Sequence, residues 1–264
     1  MTKKKTLYGL IVFSLIFVIT AGVYYDSVLD KGPLNSHLWR QTDCLSMVQN
    51  YSEGGAFCMT EMHCQLADNY TSGYSIGEFP LLYYSVGHIW KAFGKSYISY
   101  RIFCLIILFG GMLAFFRSLQ LIFRENYWSL ALALLLFTSP VFAVYGVGFL
   151  TDAPAFSFIL MAIYFFTLYQ IRKKPWGFYL CIFFFIIGGL SKISMLTAFV
   201  VLGIVLLLET VTKLKTLGDR QLFEEKWRAW IGFSIVPIVI FSWYAYAAHF
   251  NGIHGFKYTF NHII

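Results

Sequence analysis

Charge is what this chain has least of. Asp, Glu, Lys and Arg make up 12% of its 264 residues, where soluble domains carry about 25%. That deficit excludes an ordinary water-soluble domain. Together with 28 Phe and 18 Tyr, it indicates an integral membrane protein. A glycine-rich dinucleotide fingerprint and a P-loop are also missing, so the usual nucleotide cradles are absent. No internal repeat and no low-complexity linker divides the chain. The five cysteines lack the spacing of a metal site. Cys104 and Cys181 fall in apolar runs and read as buried thiols. Cys58 and Cys64 share one polar loop, where a disulfide is permitted if that loop is extracytoplasmic, but free thiols are the favoured reading.

What is present is a series of long apolar runs. The net charge of +7 does not imply nucleic acid, because Lys and Arg in a membrane protein mark cytoplasmic loops. Three lysines at 3–5 precede an uncharged run over 7–25, which spans roughly 28 Å as a helix, enough to cross the hydrocarbon core. A cleaved signal peptide has a shorter apolar region and a clear small-residue site, so this run reads as a retained anchor entering from the cytoplasm. Further runs cover 102–116, 128–147, 154–171, 176–190, 193–208 and 230–248. The run over 79–94 contains His88 and Lys91 and is short for a span. Parity decides its placement. If it lies flat on the outer surface as an amphipathic interfacial helix, then Arg117, Arg124, the Arg172-Lys173-Lys174 cluster and the basic loop 210–229 are all cytoplasmic. If it crosses, the last two fall outside, against the positive-inside rule. The expectation is therefore an all-α, polytopic membrane bundle of about seven transmembrane helices. It forms one module over 1–264, multi-pass in the inner (plasma) membrane, with a cytoplasmic N-terminus and an outer loop 26–98 carrying short interfacial helices.

This topology gathers chemistry on one face. The stretch HLWRQTD, residues 37–43, follows the first span, and a short helix is expected around 42–51 with Asp43 near its N-terminus, where the dipole favours a carboxylate. Glu78 in GEFP and Asp152 in FLTDAPAF share that outer side. Each has an ordinary reading beside a functional one. Asp43 is either a catalytic carboxylate or a helix cap, and Glu78 either a site residue or a solvated loop charge. Asp152 is either a site residue or the N-cap of the fourth helix, with Pro154 in its first turn. Arg40 binds either a ligand anion or lipid headgroups, and Lys192 either lines the site or extends to the interface. His37, like His63 and His88, is a surface residue unless drawn into the site. The combination of three carboxylates beside apolar runs, rather than any one residue, points to a functional site.

Four stretches in order, HLWRQTD, GEFPLLYYSVGHIWKAFG, SPVFAVYGVGFLTDAPAFSFIL and GGLSKISMLTAF, resemble the membrane glycosyltransferases of the GT-C fold. The protein-mannosyltransferase-like and aminoarabinose-transferase-like enzymes of bacterial envelopes are nearest in pattern, over most of 1–210. The resemblance implies that Asp43 is the catalytic carboxylate of the first outer loop and that Asp152, which matches the family's second acidic motif, is a second catalytic residue. Glu78-Phe79-Pro80 stands where aminoarabinose transferases carry Glu-Lys-Pro. The change from Lys to Phe79 weakens the case for a lipid-phosphate contact at that position. Such enzymes usually continue into further helices, so 1–264 is expected to lack the C-terminal half of the family.

The implied reaction is glycosyl transfer, with inversion, from a polyprenyl-phosphate-linked sugar to a lipid or glycan acceptor of the envelope at the extracytoplasmic face. No nucleic acid takes part. Asp43 would serve as general base, Arg40 and Lys192 would bind the phosphate, and His37 would join the substrate-binding set. Asp152 and Glu78 would orient the acceptor or ligate a divalent cation. Two other classes stay open: a transporter or flippase of lipid-linked sugar, which calls for charges near the bilayer midplane, and a non-catalytic membrane scaffold.

Overall fold

A computed structural model describes residues 3–34, 36–216 and 220–255. The C-terminal end beyond Gly255, which seven crossings from a cytoplasmic N-terminus would place on the outer side, lies outside the described residues. Among the described residues, ten α-helices follow one another: α1 (Lys3–Tyr25), α2 (Leu38–Ser52), α3 (Leu81–Phe93), α4 (Tyr97–Phe123), α5 (Tyr127–Phe137), α6 (Pro140–Tyr145), α7 (Asp152–Arg172), α8 (Pro175–Ser191), α9 (Thr197–Val211) and α10 (Lys226–Ile253). Extended structure among the described residues is confined to isolated bridges such as Glu61 with Tyr74 and Ala67 with Ser72.

Among the described residues, five segments are long and apolar enough to cross a membrane: Lys3–Val28, Tyr97–Phe123, Asp152–Arg172, Ile193–Val211 and Lys226–Ile253. The expected count of seven is not established. The run over 128–147 is not one helix, because Pro140 has no N–H to donate and disfavours helix at the residue before it. It divides into α5, of 11 residues, and α6, of six. At about 1.5 Å per residue, α5 reaches roughly 17 Å and the 17-residue α8 roughly 26 Å, both under the ~30 Å core.

Side-chain pairings give the helix directions. Phe13 stacks on Phe116 at 4.8 Å between ring centroids, and Phe17 meets Phe109 at 5.1 Å, so α1 and α4 are antiparallel. The buried residues of α1 (Gly9, Phe13, Phe17, Ala21 and Tyr25) recur every four residues along one stripe. The opposite side of the helix, including Leu15, Val18 and Val23, is exposed, as a lipid-facing helix requires. The packing of α4 on α7 is closer, and the two run parallel, since Tyr100 near the start of α4 donates its hydroxyl to the Phe149 carbonyl just before α7 at 2.8 Å. A Cβ added to Gly111 would lie 2.6 Å from Ser157 Cα, and one on Gly110 would lie 2.6 Å from Met161 Cε. Small residues at such crossings let backbones approach. Antiparallel to α7 runs α8, whose Gly188 faces Ile159 and whose Gly177 faces Tyr169.

Two ends result. One gathers the N-termini of α1 and α10 with the C-termini of α4, α7 and α9. There Asn126 Nδ2 donates to the Lys5 carbonyl at 2.9 Å and Lys173 pairs with Glu224 at 2.8 Å. Buried Glu209 accepts from the backbone N–H groups of Leu222 and Phe223 at 2.6 and 2.9 Å, closing the loop after α9. The other end gathers α2, α3, the loop between them, the start of α7 and the ends of α8 and α10. Substituting Gly111→Leu should force α4 off α7 and cost about 1–3 kcal/mol, seen as a lower unfolding midpoint in mild detergent.

Candidate active site

The local backbone around HLWRQTD sets the site. His37 takes a left-handed conformation, φ 60 and ψ 37, a region in which His is enriched. The chain therefore turns sharply into α2 at Leu38, four residues earlier than the sequence suggests. Gln41 Nε2 reaches back to the carbonyls of Leu34 at 2.8 Å and Ser36 at 2.9 Å, holding that turn without a conventional cap. The expectation of Asp43 near a helix N-terminus is thus corrected: Asp43 lies in the second turn of α2. Arg40, Asp43, Cys44 and Met47 fall at i, i+3, i+4 and i+7, one helical face, and all four line a cavity of about 460 Å³. Tyr244, Ala247, Ala248, Asn251 and Gly252 of α10 form the opposite wall at the same spacing, and Thr60, Met62, Ser75, Ile76, Gly77, Glu78 and Tyr83 complete it.

The outer loop is fastened to α10 around this cavity. Asn251 donates to the Ile76 carbonyl at 2.7 Å and accepts from the Ile76 N–H at 2.9 Å. Trp243 Nε1 donates to the Gly77 carbonyl at 3.0 Å. The Phe79 N–H bonds the Leu190 carbonyl at 3.0 Å, and the Phe79 ring packs against Trp243 and Phe57 at 4.8 and 5.3 Å. Phe79 therefore serves as an anchor, seating GEFP on the end of α8 and setting Glu78 between Arg40 and Lys192.

A chain of ion pairs results. Arg40 Nη2 bonds Glu78 Oε1. The same oxygen lies 3.7 Å from Lys192 Nζ, which is 2.9 Å from Asp152 Oδ1. Tyr83 donates its hydroxyl to Glu78 Oε2 at 3.2 Å and lies 3.1 Å from the Cys44 thiol. Burial keeps both groups protonated: it pushes the Cys44 thiol up to about 12 and Tyr83 well above its ordinary range. Burial works against the Arg40 charge, but Glu78, followed by Tyr83, more than offsets it, and the guanidinium pKa is raised.

Asp43 stands apart from this ladder. No Lys or Arg lies within 4.0 Å of its carboxylate among the described residues. The Cys64 thiol lies 4.0 Å from Oδ1. Burial raises its pKa above the ordinary 3.8, opposed by the more distant charges of Arg40 and His63. A half-buried carboxylate of raised basicity at a cavity wall is suited to accept a proton.

Of the residues singled out in the sequence, Arg40, Asp43 and Glu78 line the cavity, and Lys192 and Asp152 join through Glu78. Lys192 is not a lining residue, and neither is Asp152. Nor is it an N-cap: Thr151 holds that position, and Asp152 is the first residue of α7, turned to Lys192. His37 is exposed, its ring 6.4 Å from Tyr145. The carboxylates of Glu78 and Asp152 are bridged by the Lys192 ammonium, which stands where a cation would bridge them. Among the described residues no group of three His, Cys, Asp or Glu is placed to hold a metal. Cys58 and Cys64 are exposed free thiols.

Two features were not anticipated. The α10 wall escaped notice because that apolar run reads as ending at 248, while the helix continues to Ile253. Arg101, at the margin of its run, is buried against the Phe149 ring at 4.2 Å. Its guanidinium donates to the carbonyls of Val147, Lys31 and Gly32 at 2.7, 2.9 and 3.0 Å. It ties the loop after α1 to the loop before α7, and only coordinates reveal those carbonyl partners.

An all-helical membrane bundle with an ion-paired cavity at one end defines the architectural class. The family follows from comparison: residues 34–258 match the family model of dolichyl-phosphate-mannose-protein mannosyltransferases, and the chain belongs to that family of membrane glycosyltransferases. Neither a curated protein nor a solved structure matches it. The match spans α2 through α10, so every segment of the cavity lies within it.

Removing the bridge should expose its role. Lys192→Met is expected to cost about 1–3 kcal/mol by leaving two half-buried carboxylates facing each other. Asp152→Asn should cost less, and the double variant less than the sum. Unfolding midpoints of the purified proteins in one detergent measure all three.

Proposed function

We propose that this chain transfers a sugar from a polyprenyl-phosphate donor to an envelope lipid or glycan at the extracytoplasmic face of the inner membrane. The observation that carries the reading is the placement of Asp43, a carboxylate outside the ion-pair ladder on the wall of a cavity that also presents Arg40. The family's own donor, as its name states, is a sugar on a lipid phosphate. An acceptor hydroxyl must lose its proton as it attacks the anomeric carbon, and Asp43 takes that proton. The glycosyl–phosphate bond breaks, and the leaving phosphate carries its charge onto Arg40 and Lys192. A guanidinium offers directed donors and an ammonium a compact charge. Asp152 holds Lys192 in position, and Asn251 with Thr60 offers polar contacts to the bound sugar.

The sidedness belongs to this proposal. The basic end of the bundle faces the cytoplasm by the positive-inside rule, with the N-terminus inside and the cavity outside. Cysteine labelling at Lys173 and at Asn69 should then give opposite accessibility, and labelling of both from one side contradicts the orientation.

Asp43→Asn keeps shape and removes the base, so turnover in reconstituted protein should fall by about 10²-fold or more, with insertion unchanged. Arg40→Ala should raise KM for the lipid donor, lower kcat, or both. Because burial raises the Asp43 pKa, the free base predominates only above it. The acid limb of kcat/KM should rise with pH through a midpoint above 3.8 and disappear in Asp43→Asn. Near-normal transfer by Asp43→Asn would remove Asp43 from the role.

A further inference from the structure

We infer that Glu78 occupies the place of a phosphate oxygen, and that it competes with the lipid phosphate for Arg40 and Lys192. The inference rests on the reading of the cavity as a phosphate-sugar site and adds a device to it. Glu78 Oε1 is bonded to Arg40 Nη2 and lies 3.7 Å from Lys192 Nζ. One anionic oxygen thus serves both cations that the proposed reaction assigns to the leaving group. Glu78 and Lys192 are largely shielded, with side chains 17% and 19% exposed, so their charges are weakly screened. A phosphate cannot approach the two cations while the carboxylate stays between them without like-charge repulsion.

The surroundings permit an exchange. The backbone on either side of Glu78 is pinned, at the Gly77 carbonyl by Trp243 and at the Phe79 N–H by Leu190. The loop therefore need not move. Only the Glu78 side chain must rotate, a fast step that gives up the 3.2 Å bond from the Tyr83 hydroxyl, with the cavity beside it to receive the carboxylate. Neither cation is lost when it leaves. Lys192 remains held by both Asp152 oxygens, at 2.9 and 3.0 Å, and Arg40 remains on α2. The device also acts after transfer. The sugar-bearing donor is a phosphodiester with one negative charge, whereas the released monoester carries about −1.5 to −2 at neutral pH. It would hold the two cations more tightly, and the returning Glu78 carboxylate helps to expel it.

The sign of the effect separates competition from support. A glutamate that merely braces the site loses ligand affinity when altered, whereas a competitor raises it. The full chain in detergent is titrated with farnesyl phosphate as the probe, with farnesol and inorganic phosphate as separate arms and thermal unfolding as the fold check. Glu78→Gln is expected to bind farnesyl phosphate about ten-fold more tightly than the parent, the scale of one removed like charge near a site. Glu78→Asp, which withdraws the carboxylate by one methylene, should fall between them. Farnesol affinity should not change. Tightening of inorganic phosphate alone would assign the site to free phosphate and overturn the lipid form of the inference. Equal or weaker binding of farnesyl phosphate by folded Glu78→Gln and Glu78→Asp, with binding by the parent intact, overturns the competition and leaves the proposed function standing. No binding of farnesyl phosphate by any of the three proteins overturns both.

Discussion

Charge sheltered in an apolar bundle must be paired or hydrogen-bonded, and at the cavity end this protein pairs four charged groups in one ladder. The series Arg40, Glu78, Lys192, Asp152 alternates in sign and draws together α2, the GEFP loop, the end of α8 and the start of α7. Each of these groups would be costly to shelter alone. Held together, they fix four chain segments around one cavity. Because the ladder is balanced, two cations against two carboxylates, the cavity's remaining carboxylate, Asp43, is free of it. On the proposed reading, that separation lets one site contain both an anion-binding pair and a base.

The rest of the structure supports this placement from two directions. Beneath the cavity, the glycine-mediated contacts of α4, α7 and α8 set the depth at which Asp152 and Lys192 meet. Above it, the outer loop is secured to α10 by Asn251, Trp243 and Tyr246, the last donating to the Cys58 carbonyl at 2.9 Å. A further link joins Asp68 to His254 at 3.0 Å. The cavity is thus bounded by a rigid helical base and a loop held through backbone groups. Its shape depends less on loop side chains than on the register of α10.

Much of this was legible before any coordinates. Scarce charge and long apolar runs reveal a helical membrane bundle, and the position of basic clusters separates its two ends. HLWRQTD, GEFP, FLTDAP and GGLSK each mark one segment of the site, so Arg40, Asp43, Glu78, Asp152 and Lys192 could be named. Their pairing could not, because the partners are separated by as many as 114 positions (Glu78 to Lys192) and only tertiary packing joins them. The unbroken span over 128–147 failed at Pro140, where a local backbone rule outweighs hydropathy. The late start expected for α2 failed because a left-handed His37 begins the helix without a capping signal. The α10 wall stayed hidden because alanine, glycine and a terminal asparagine look like an ordinary helix end.

The central claim is that the cavity performs sugar transfer from a lipid phosphate. Its most direct measurement is release of free polyprenyl phosphate by the purified chain in lipid nanodiscs, given defined polyprenyl-phosphate sugars and an extract of envelope acceptors. The account predicts acceptor-dependent release from at least one such donor and none when a nucleotide sugar replaces it. Transfer from nucleotide sugars alone, or no release from any lipid-linked donor by folded protein, would contradict it.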